Sequence, residues 1–201
     1  MGREVTGASE TTATPFSILP MRRRHLRAVM AIEEAVYPRP WTSSLFLSEL
    51  GLPASRMYVV AKAGRSLVGY AGIMMAPDEA HVTTIAVDPA WHRRHVATRL
   101  LLALAREAVE RNYAALTLEV RQSSLGAQGL YRRFGLTPEG ARKDYYSHPT
   151  EDAVVMWVRG IDTPEYSNLL AGLERRADAA DGLGATLARE TTAKGTAGGA
   201  S

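Results

Sequence analysis

The chain has 201 residues, 46% of them hydrophobic, which is enough for one substantial core but not for two full domains. It contains no cysteine, which excludes disulfides, thiolate metal sites and a cysteine nucleophile. The formal net charge is +3, and residues 1–160 carry 20 Lys and Arg against 15 Asp and Glu. Because this basic part has no long Lys/Arg run with interleaved aromatic residues, a polyanionic small molecule is at least as good a partner for it as nucleic acid.

Both ends of the chain lack periodic apolar residues, and segments 1–15 and 178–201 are predicted to be disordered. Between them and the central part, the spacing of Tyr166, Leu169, Leu170 and Leu173 predicts one short helix. No window approaches the roughly 18 to 20 apolar residues that cross a bilayer, and the N-terminus does not resemble a secretory signal. We therefore expect a cytoplasmic protein without a membrane partner.

Two helices are predicted in the first part of the chain. The first runs from about Arg23 to Val36, and Pro38 and Pro40 end it. The second begins after Thr42, which suits the N-cap position, and stops at Gly51.

The rest of the chain alternates β-like runs with helices. Residues 57–62, 66–76 and 79–87 are separated by turn signals and predict an antiparallel meander. The remaining predicted elements are a helix at 94–111, a strand at 116–120, a helix at 125–134, and strands at 137–146 and 153–158. The resulting order, βααβββαβαββ, is a mixed α/β fold.

The start of the helix at 94–111 is a candidate phosphate site. Unpaired backbone N–H groups at a helix N-terminus bind phosphate, and Arg93, Arg94 and Arg99 add positive charge beside them. An Arg-rich first turn is also the ordinary composition of a solvated helix end, so this feature alone leaves both interpretations open.

Several motifs taken together resemble the GNAT superfamily of N-acetyltransferases. Residues 92–97, His-Arg-Arg-His-Val-Ala, stand where that superfamily has Arg/Gln-x-x-Gly-x-Gly/Ala. The sequences Pro-Trp-Thr at 40–42, LEVR at 118–121, LYRRFGL at 130–136 and RKDYY at 142–146 resemble its ribosomal-protein-alanine N-acetyltransferase branch, the RimI type. The resemblance covers residues 16–160 and implies a central, mostly antiparallel sheet with flanking helices, followed by a short helix and tail at 161–201.

The resemblance implies acetyl-CoA as the cosubstrate and no metal. The cofactor-binding residues that it implies are Ile85, Ala86, Val87, Arg93, Arg94, His95, Val96, Ala97, Thr98 and Ser124. His92 and His95 depart from the superfamily motif, and Ser124 stands where the family usually has Asn. His95 either brings a side chain to where phosphate should pass or points to solvent.

The same resemblance implies two catalytic residues. Glu119 would be the general base for the substrate amine, and Tyr131 the general acid for the departing thiolate. Without the resemblance, Glu119 is better explained as a strand-end carboxylate paired with Arg121 or a neighbouring strand, and Tyr131 is equally explained as a core tyrosine. His81 is an alternative base, and a backbone N–H of strand 79–87 would hold the oxyanion.

Aromatic residues beside the predicted groove suit a peptide acceptor. The substrate-binding candidates are Tyr37, Arg39, Trp41, Tyr145 and Tyr146. The family implies an N-terminal alanine on small-subunit ribosomal protein eighteen as the acceptor, with no nucleic-acid partner. Two alternatives stay open at this point: an acetyltransferase of a small amine or a lysine side chain, and a non-catalytic acyl-CoA-binding module.

Overall fold

The computed structural model describes residues 16–196, so the segment 1–15, predicted to be disordered, lies outside the described residues. Within this range the strands form one seven-stranded sheet in the order β1-β2-β3-β4-β5-β7-β6. The strands are β1 (Ser17–Pro20), β2 (Arg56–Ala63), β3 (Ser66–Met75), β4 (Ala80–Val87), β5 (Ala115–Arg121), β6 (Thr137–Ser147) and β7 (Thr150–Arg159). Neighbouring strands are antiparallel except β4 and β5, which are parallel. The predicted mixed α/β class and mostly antiparallel sheet are confirmed.

The described helices are α1 (Leu26–Val36), α2 (Ser43–Leu50), α3 (Val96–Glu110), α4 (Leu125–Arg133) and α5 (Pro164–Thr196). The predicted cap of α2 is confirmed, because the Thr42 hydroxyl oxygen accepts a hydrogen bond from the Leu45 backbone N–H at 3.2 Å. In residues 16–196 no helix combines the length and hydropathy needed to span a membrane.

The helices cover both faces of the sheet and so create two apolar cores. On one face, α1 and α2 pack around the fully buried side chains of Val29, Phe46 and Tyr70. On the other face, α3 buries Leu100 and Leu104 together with side chains from α4 and α5. The functional features described below lie at β4 and β5, in the middle of the strand order, and at the start of α3.

Helix α5 is longer than the sequence predicts. Its buried stripe packs in the same core as α3 and consists of Tyr166, Leu170, Leu173 and Ala177. Two ion pairs add to this contact: Arg99 with Asp178 at 2.6 Å, and Arg106 with Glu174. The predicted helix limited to 166–173, with disorder from 178, differs from α5, which extends to Thr196; the described packing of this helix on α3 reaches Ala177 and Asp178, which a local pattern does not show. Residues 197–201 lie outside the described range, and the domain boundary at 160 stays a prediction.

Strands β4 and β5 separate after a short paired stretch. They pair only from Ala80 opposite Leu116 to Val82 opposite Leu118. A bulge in β4 at Thr83, where the β3 register shifts, bends the strand away from β5 at this point. Residues 83–87 of β4 and 119–121 of β5 are left without pairing to each other, and this opening is called the fork below.

Candidate active site

A cavity of about 890 Å³ opens at the fork, within the size range of small-molecule and cofactor sites. Its walls come from the end of α1 and the following loop, β4, β5, the start of α4, and the β6–β7 hairpin. The sequence-predicted site residues that line it are Tyr37, Arg39, Trp41, Ile85, Ala86, Val87, Glu119, Ser124, Tyr131, Tyr145 and Tyr146. The fold therefore brings together both catalytic candidates, all the substrate-binding candidates and four of the cofactor-binding candidates.

Glu119 is an acid of the cavity wall with a partner on each carboxylate oxygen. Its side chain is only 7% exposed, and Oε2 lies 3.0 Å from His81 Nε2 while Oε1 lies 2.9 Å from Arg142 Nε. The hydrogen bond from His81, with the charge of Arg142, lowers the pKa of Glu119 in spite of its burial. The alternative of a pair with Arg121 is wrong, because Arg121 pairs with Glu151 at 3.0 Å. The other alternative, a pair with a neighbouring strand, is found in the contact of Glu119 with His81 of β4.

Tyr131 belongs both to the core and to the cavity. Its side chain is 6% exposed and packs in the same cluster as Leu130 and Phe134, yet it also forms part of the cavity wall. Burial raises the pKa of Tyr131, with smaller contributions from Tyr37 and Tyr146. The phenol is therefore held in its protonated form, the form that can donate a proton.

Three tyrosines border the fork on both sides. The Tyr37 hydroxyl donates to the Ile85 carbonyl oxygen of β4 at 2.8 Å, and the Tyr146 hydroxyl donates to the Glu119 carbonyl oxygen of β5 at 3.4 Å. The Tyr145 and Tyr146 rings are nearly perpendicular, with centroids 5.2 Å apart. Burial, more than the neighbouring Tyr145, raises the pKa of Tyr146 to about 12. These aromatic side chains form neutral walls with hydroxyl groups fixed on the backbones of both separated strands.

Glu33 is a cavity residue that sequence reasoning missed. It is 2% exposed, and Oε1 accepts a hydrogen bond from the Trp41 backbone N–H at 2.8 Å, which fixes the loop after α1. Its Oε2 is buried without a hydrogen-bond partner in the described part of the chain, and burial raises the pKa of this carboxyl. The available signal was its helical spacing, since an acid four residues after Val29 falls on the apolar face of α1.

The start of α3 differs from the cavity in its local structure. Arg93 and His95 have left-handed backbone conformations with φ of 62° and 57°, a region that favours glycine, and His95 is the N-cap of α3 without a side-chain cap bond. Arg93 and Arg94 are exposed, and the Arg94 guanidinium lies 5.0 Å from the Trp91 ring centroid. These cations remain accessible to an anion beside the first backbone N–H groups of the helix.

The cofactor-binding candidates of residues 93–98 lie outside the large cavity. Two of them, His95 and Thr98, line a second cavity of about 260 Å³, whose other walls are Arg133 of α4 and Leu173, Arg176 and Ala177 of α5. His95 is half-buried there. Arg99, part of the phosphate hypothesis, pairs with Asp178 of α5.

The chemistry that this arrangement supports is proton transfer. Among the side chains that the structure describes, no group of three or more His, Asp and Glu has the arrangement of a metal site. A carboxylate paired with an imidazole, and a phenol held neutral, open into one cavity at a gap between two strands. Such a pair of sites can remove a proton from one group and give a proton to another.

Comparisons with known proteins agree with this geometry. Residues 26–136 match the family described as the Acetyltransferase (GNAT) family. A Bacillus subtilis (strain 168) relative, provisionally named a ribosomal protein bS18-alanine N-acetyltransferase, is 36% identical over 145 residues, which are 72% of this chain and 96% of that protein. The Escherichia coli (strain K12) ribosomal protein bS18-alanine N-acetyltransferase is 33% identical over 135 residues, covering 65% and 88% of the two chains. The crystal structure of the ribosomal-protein-S18-alanine N-acetyltransferase from Escherichia coli matches with a TM-score of 0.66 at 29% identity, over 72% of this chain and 94% of that one.

Proposed function

The chain belongs to the GNAT acetyltransferase family and is an acetyl-CoA-dependent N-acetyltransferase, and we propose that its acceptor is the α-amine of the N-terminal alanine of ribosomal protein bS18. The names of the relatives support this acceptor, and one structural observation carries the proposal. The carboxylate, the phenol and the aromatic walls meet in a single open cavity where β4 and β5 separate. A ribosomal-protein acceptor would place the reaction in the cytosol.

In this proposal the amine attacks the thioester directly while both substrates are bound. An N-terminal amine has a pKa of about 7.7 to 8.0, so much of it is protonated at neutral pH and must lose a proton before attack. A base at the paired side chains of Glu119 and His81 accepts that proton, and Tyr131 gives a proton to the departing thiolate. A backbone N–H of β4 beyond Val82, on the side no longer paired with β5, would stabilise the oxyanion.

The two substrates would approach the fork from different sides. Acetyl-CoA would run along Ile85, Ala86 and Val87, pass Ser124, and place its phosphates at the start of α3, residues 93–98. The peptide would lie between the loop carrying Tyr37, Arg39 and Trp41 and the strand carrying Tyr145 and Tyr146. All of these except residues 93–98 line the large cavity, which supports a common site for the acetyl group and the amine.

Thiol release from acetyl-CoA with three acceptors tests the proposal. The acceptors are a peptide with the bS18 N-terminal sequence, beginning with alanine and containing a lysine, the same peptide blocked at its α-amine, and a free polyamine. We expect release with the first peptide only. Release with the blocked peptide would indicate lysine acetylation, and release with the polyamine alone a small-amine enzyme. Acetyl-CoA binding with no release from any acceptor would indicate a non-catalytic module.

A further inference from the structure

His81 and Glu119 form a closely placed pair at the point where the fork begins. His81 lies in the paired stretch of β4, opposite Thr117, and Glu119 is the first β5 residue beyond that stretch. His81 Nε2 and Glu119 Oε2 are 3.0 Å apart, and both side chains line the large cavity. The imidazole is the more accessible of the two, at 19% exposed against 7% for the carboxylate.

The surroundings of Glu119 make it a weak proton acceptor. Both of its oxygens already accept bonds, one from His81 and one from Arg142. These contacts stabilise the ionised carboxylate and lower its pKa, so a proton taken from an amine would be held poorly there. An imidazole, in contrast, takes up and releases protons near neutral pH.

We propose that His81 is the catalytic residue that takes the proton from the substrate amine, with Glu119 orienting the imidazole and stabilising it when charged. This inference rests on the proposed acetyltransferase function and assigns the base within it. A neutral imidazole that donates from Nε2 to Glu119 carries its lone pair on Nδ1. Within the described residues nothing bonds to that Nδ1, so it is free to face the amine. The pair thus has the roles that histidine and a carboxylate have in other base-catalysed acyl transfers.

The protons of the reaction balance with this assignment. The ammonium form of the acceptor loses two protons in becoming an amide. The first moves from nitrogen to His81 Nδ1 before attack and then leaves to water through the open cavity. The second, lost as the C–N bond is completed and the C–S bond breaks, replaces the proton that Tyr131 gives to the thiolate. The products are the acetylated amine, free CoA thiol and one proton released to solvent.

The other ionisable groups around His81 leave its role intact. β3 and the paired part of β5 present Met74 and Thr117 opposite it, and neither titrates. The other charged and titratable side chains of the cavity wall are Glu33, Tyr37, Arg39, Glu49, Arg56, His92, Glu119, Arg121, Tyr131, Tyr145, Tyr146 and His148, and Arg142 contacts Glu119 from β6. Glu49 and Arg56 neutralise each other in an ion pair of 2.8 Å. The pKa values of Tyr37, Tyr145 and Tyr146 are raised, mainly by burial, so these phenols stay neutral through the range in which an amine is deprotonated.

The test is the pH dependence of kcat/KM for His81→Gln, measured with the acceptor that turns over fastest in the three-acceptor assay. Glutamine keeps a donor toward Glu119 but cannot accept a proton. We expect kcat/KM to fall about 10²-fold near pH 6.5 and less than about tenfold near pH 9, where most of the amine is already neutral. Added imidazole should restore part of the rate to His81→Ala, because the cavity is open to small molecules.

Two comparison variants separate this inference from simpler explanations. His148→Gln removes an exposed histidine of the same cavity wall, and the shape of its pH profile should match that of the wild type. Glu119→Gln keeps the imidazole and should lose less than His81→Gln near pH 6.5. A His81→Gln loss within about threefold at every pH would assign the base to Glu119 alone, and a loss independent of pH would indicate a structural role; either result overturns the inference. If no acceptor supports turnover, both the function and the inference are wrong.

Discussion

The fork and the start of α3 are built in opposite ways. At the fork, Glu119 is held by His81 and Arg142, so the site depends on residues far apart in sequence that three strands bring together. At the start of α3, residues 92–98 are consecutive, Arg93 and Arg94 stay exposed, and the backbone is left-handed at Arg93 and His95. Proton transfer needs buried groups with fixed partners, whereas an anion site needs accessible donors.

The largest effect among the buried groups at the fork is expected for Tyr131→Phe. If this phenol is the general acid, turnover at saturating substrates should fall about 10² to 10⁴-fold while the fold is retained, because only the hydroxyl is removed. Steady-state kinetics with thermal unfolding measures both effects. Tyr166→Phe is the matched control, since its buried hydroxyl has no partner in the described residues and lies outside the cavity wall. Turnover of Tyr131→Phe within about twofold of the wild type would disprove the acid assignment.

Substitutions at the exposed start of α3 should change the affinity for acetyl-CoA rather than the turnover rate. In the double variant Arg93→Gln, Arg94→Gln, the KM for acetyl-CoA should rise about tenfold with kcat nearly unchanged, because two charges near the phosphates are lost. The effect should shrink as salt is added, since exposed charges are screened. Arg65→Gln in the β2–β3 hairpin is an exposed control for the loss of charge. A fall in kcat with KM unchanged would contradict the assignment of cofactor binding, rather than catalysis, to the start of α3.

His95→Gly tests whether the left-handed turn costs stability. A non-glycine residue in this conformation costs about 1 kcal/mol. The free energy of unfolding of the variant, measured with denaturant, should therefore be higher by a similar amount. Asn112 has a φ of 60°, and Asn112→Gly should gain less because Asn tolerates this region better than His. An unfolding free energy unchanged or lowered in His95→Gly would show that the His95 side chain contributes contacts in the second cavity that offset the strain.

The smallest expected effect concerns the exposed partner of Glu119. Arg142 is 58% exposed, so solvent screens its pair with Glu119 and its contribution to unfolding free energy should stay below about 1 kcal/mol. The pKa of Glu119 is lower in the folded protein than in the unfolded one. The ionised carboxylate therefore adds to the free energy of unfolding at pH values above the unfolded pKa, and this contribution is lost as the pH falls through the folded pKa. The wild type should therefore exceed Arg142→Gln in stability at pH 7, and the difference should shrink as the pH falls below the unfolded pKa of about 4.3 and through the lower folded pKa.

Urea unfolding from pH 3 to pH 7 measures this difference, with Lys143→Gln as the neighbouring exposed control. A gap that widens on acidification would contradict the sign of the Glu119 shift.

Much of the fold follows from local patterns in this chain. The apolar spacing of α1 and α3, the Thr42 cap and the turn at residues 63–65 give the element order nearly residue by residue. Helix α5 shows where this reasoning fails, because its polar, alanine-rich sequence forms a long helix through packing on α3 and pairs such as Arg99 with Asp178. A local pattern contains no information about a partner element so distant along the chain.

In the candidate site, too, some features follow from local sequence and others only from contacts between distant segments. The identity of Glu119 and Tyr131 as candidates came from a motif resemblance, and the fold places both in one cavity; their catalytic roles stay proposals. The partners of Glu119 could not be read from the sequence, since His81 and Arg142 reach it only through the sheet register and the separation of β4 from β5. For Glu33, the helical spacing indicates the apolar face of α1, and only the tertiary structure shows that its carboxylate accepts a hydrogen bond from the Trp41 backbone N–H.

The succession of helices and strands, the lack of cysteine and the basic turn at the start of α3 can be predicted from the sequence, because each depends on composition or on neighbours within one or two turns. The tertiary structure alone decided that β4 and β5 separate after Val82, which residues line the resulting cavity and which groups hold the Glu119 carboxylate. These features depend on contacts between distant segments, and burial then sets the protonation of the groups that meet there.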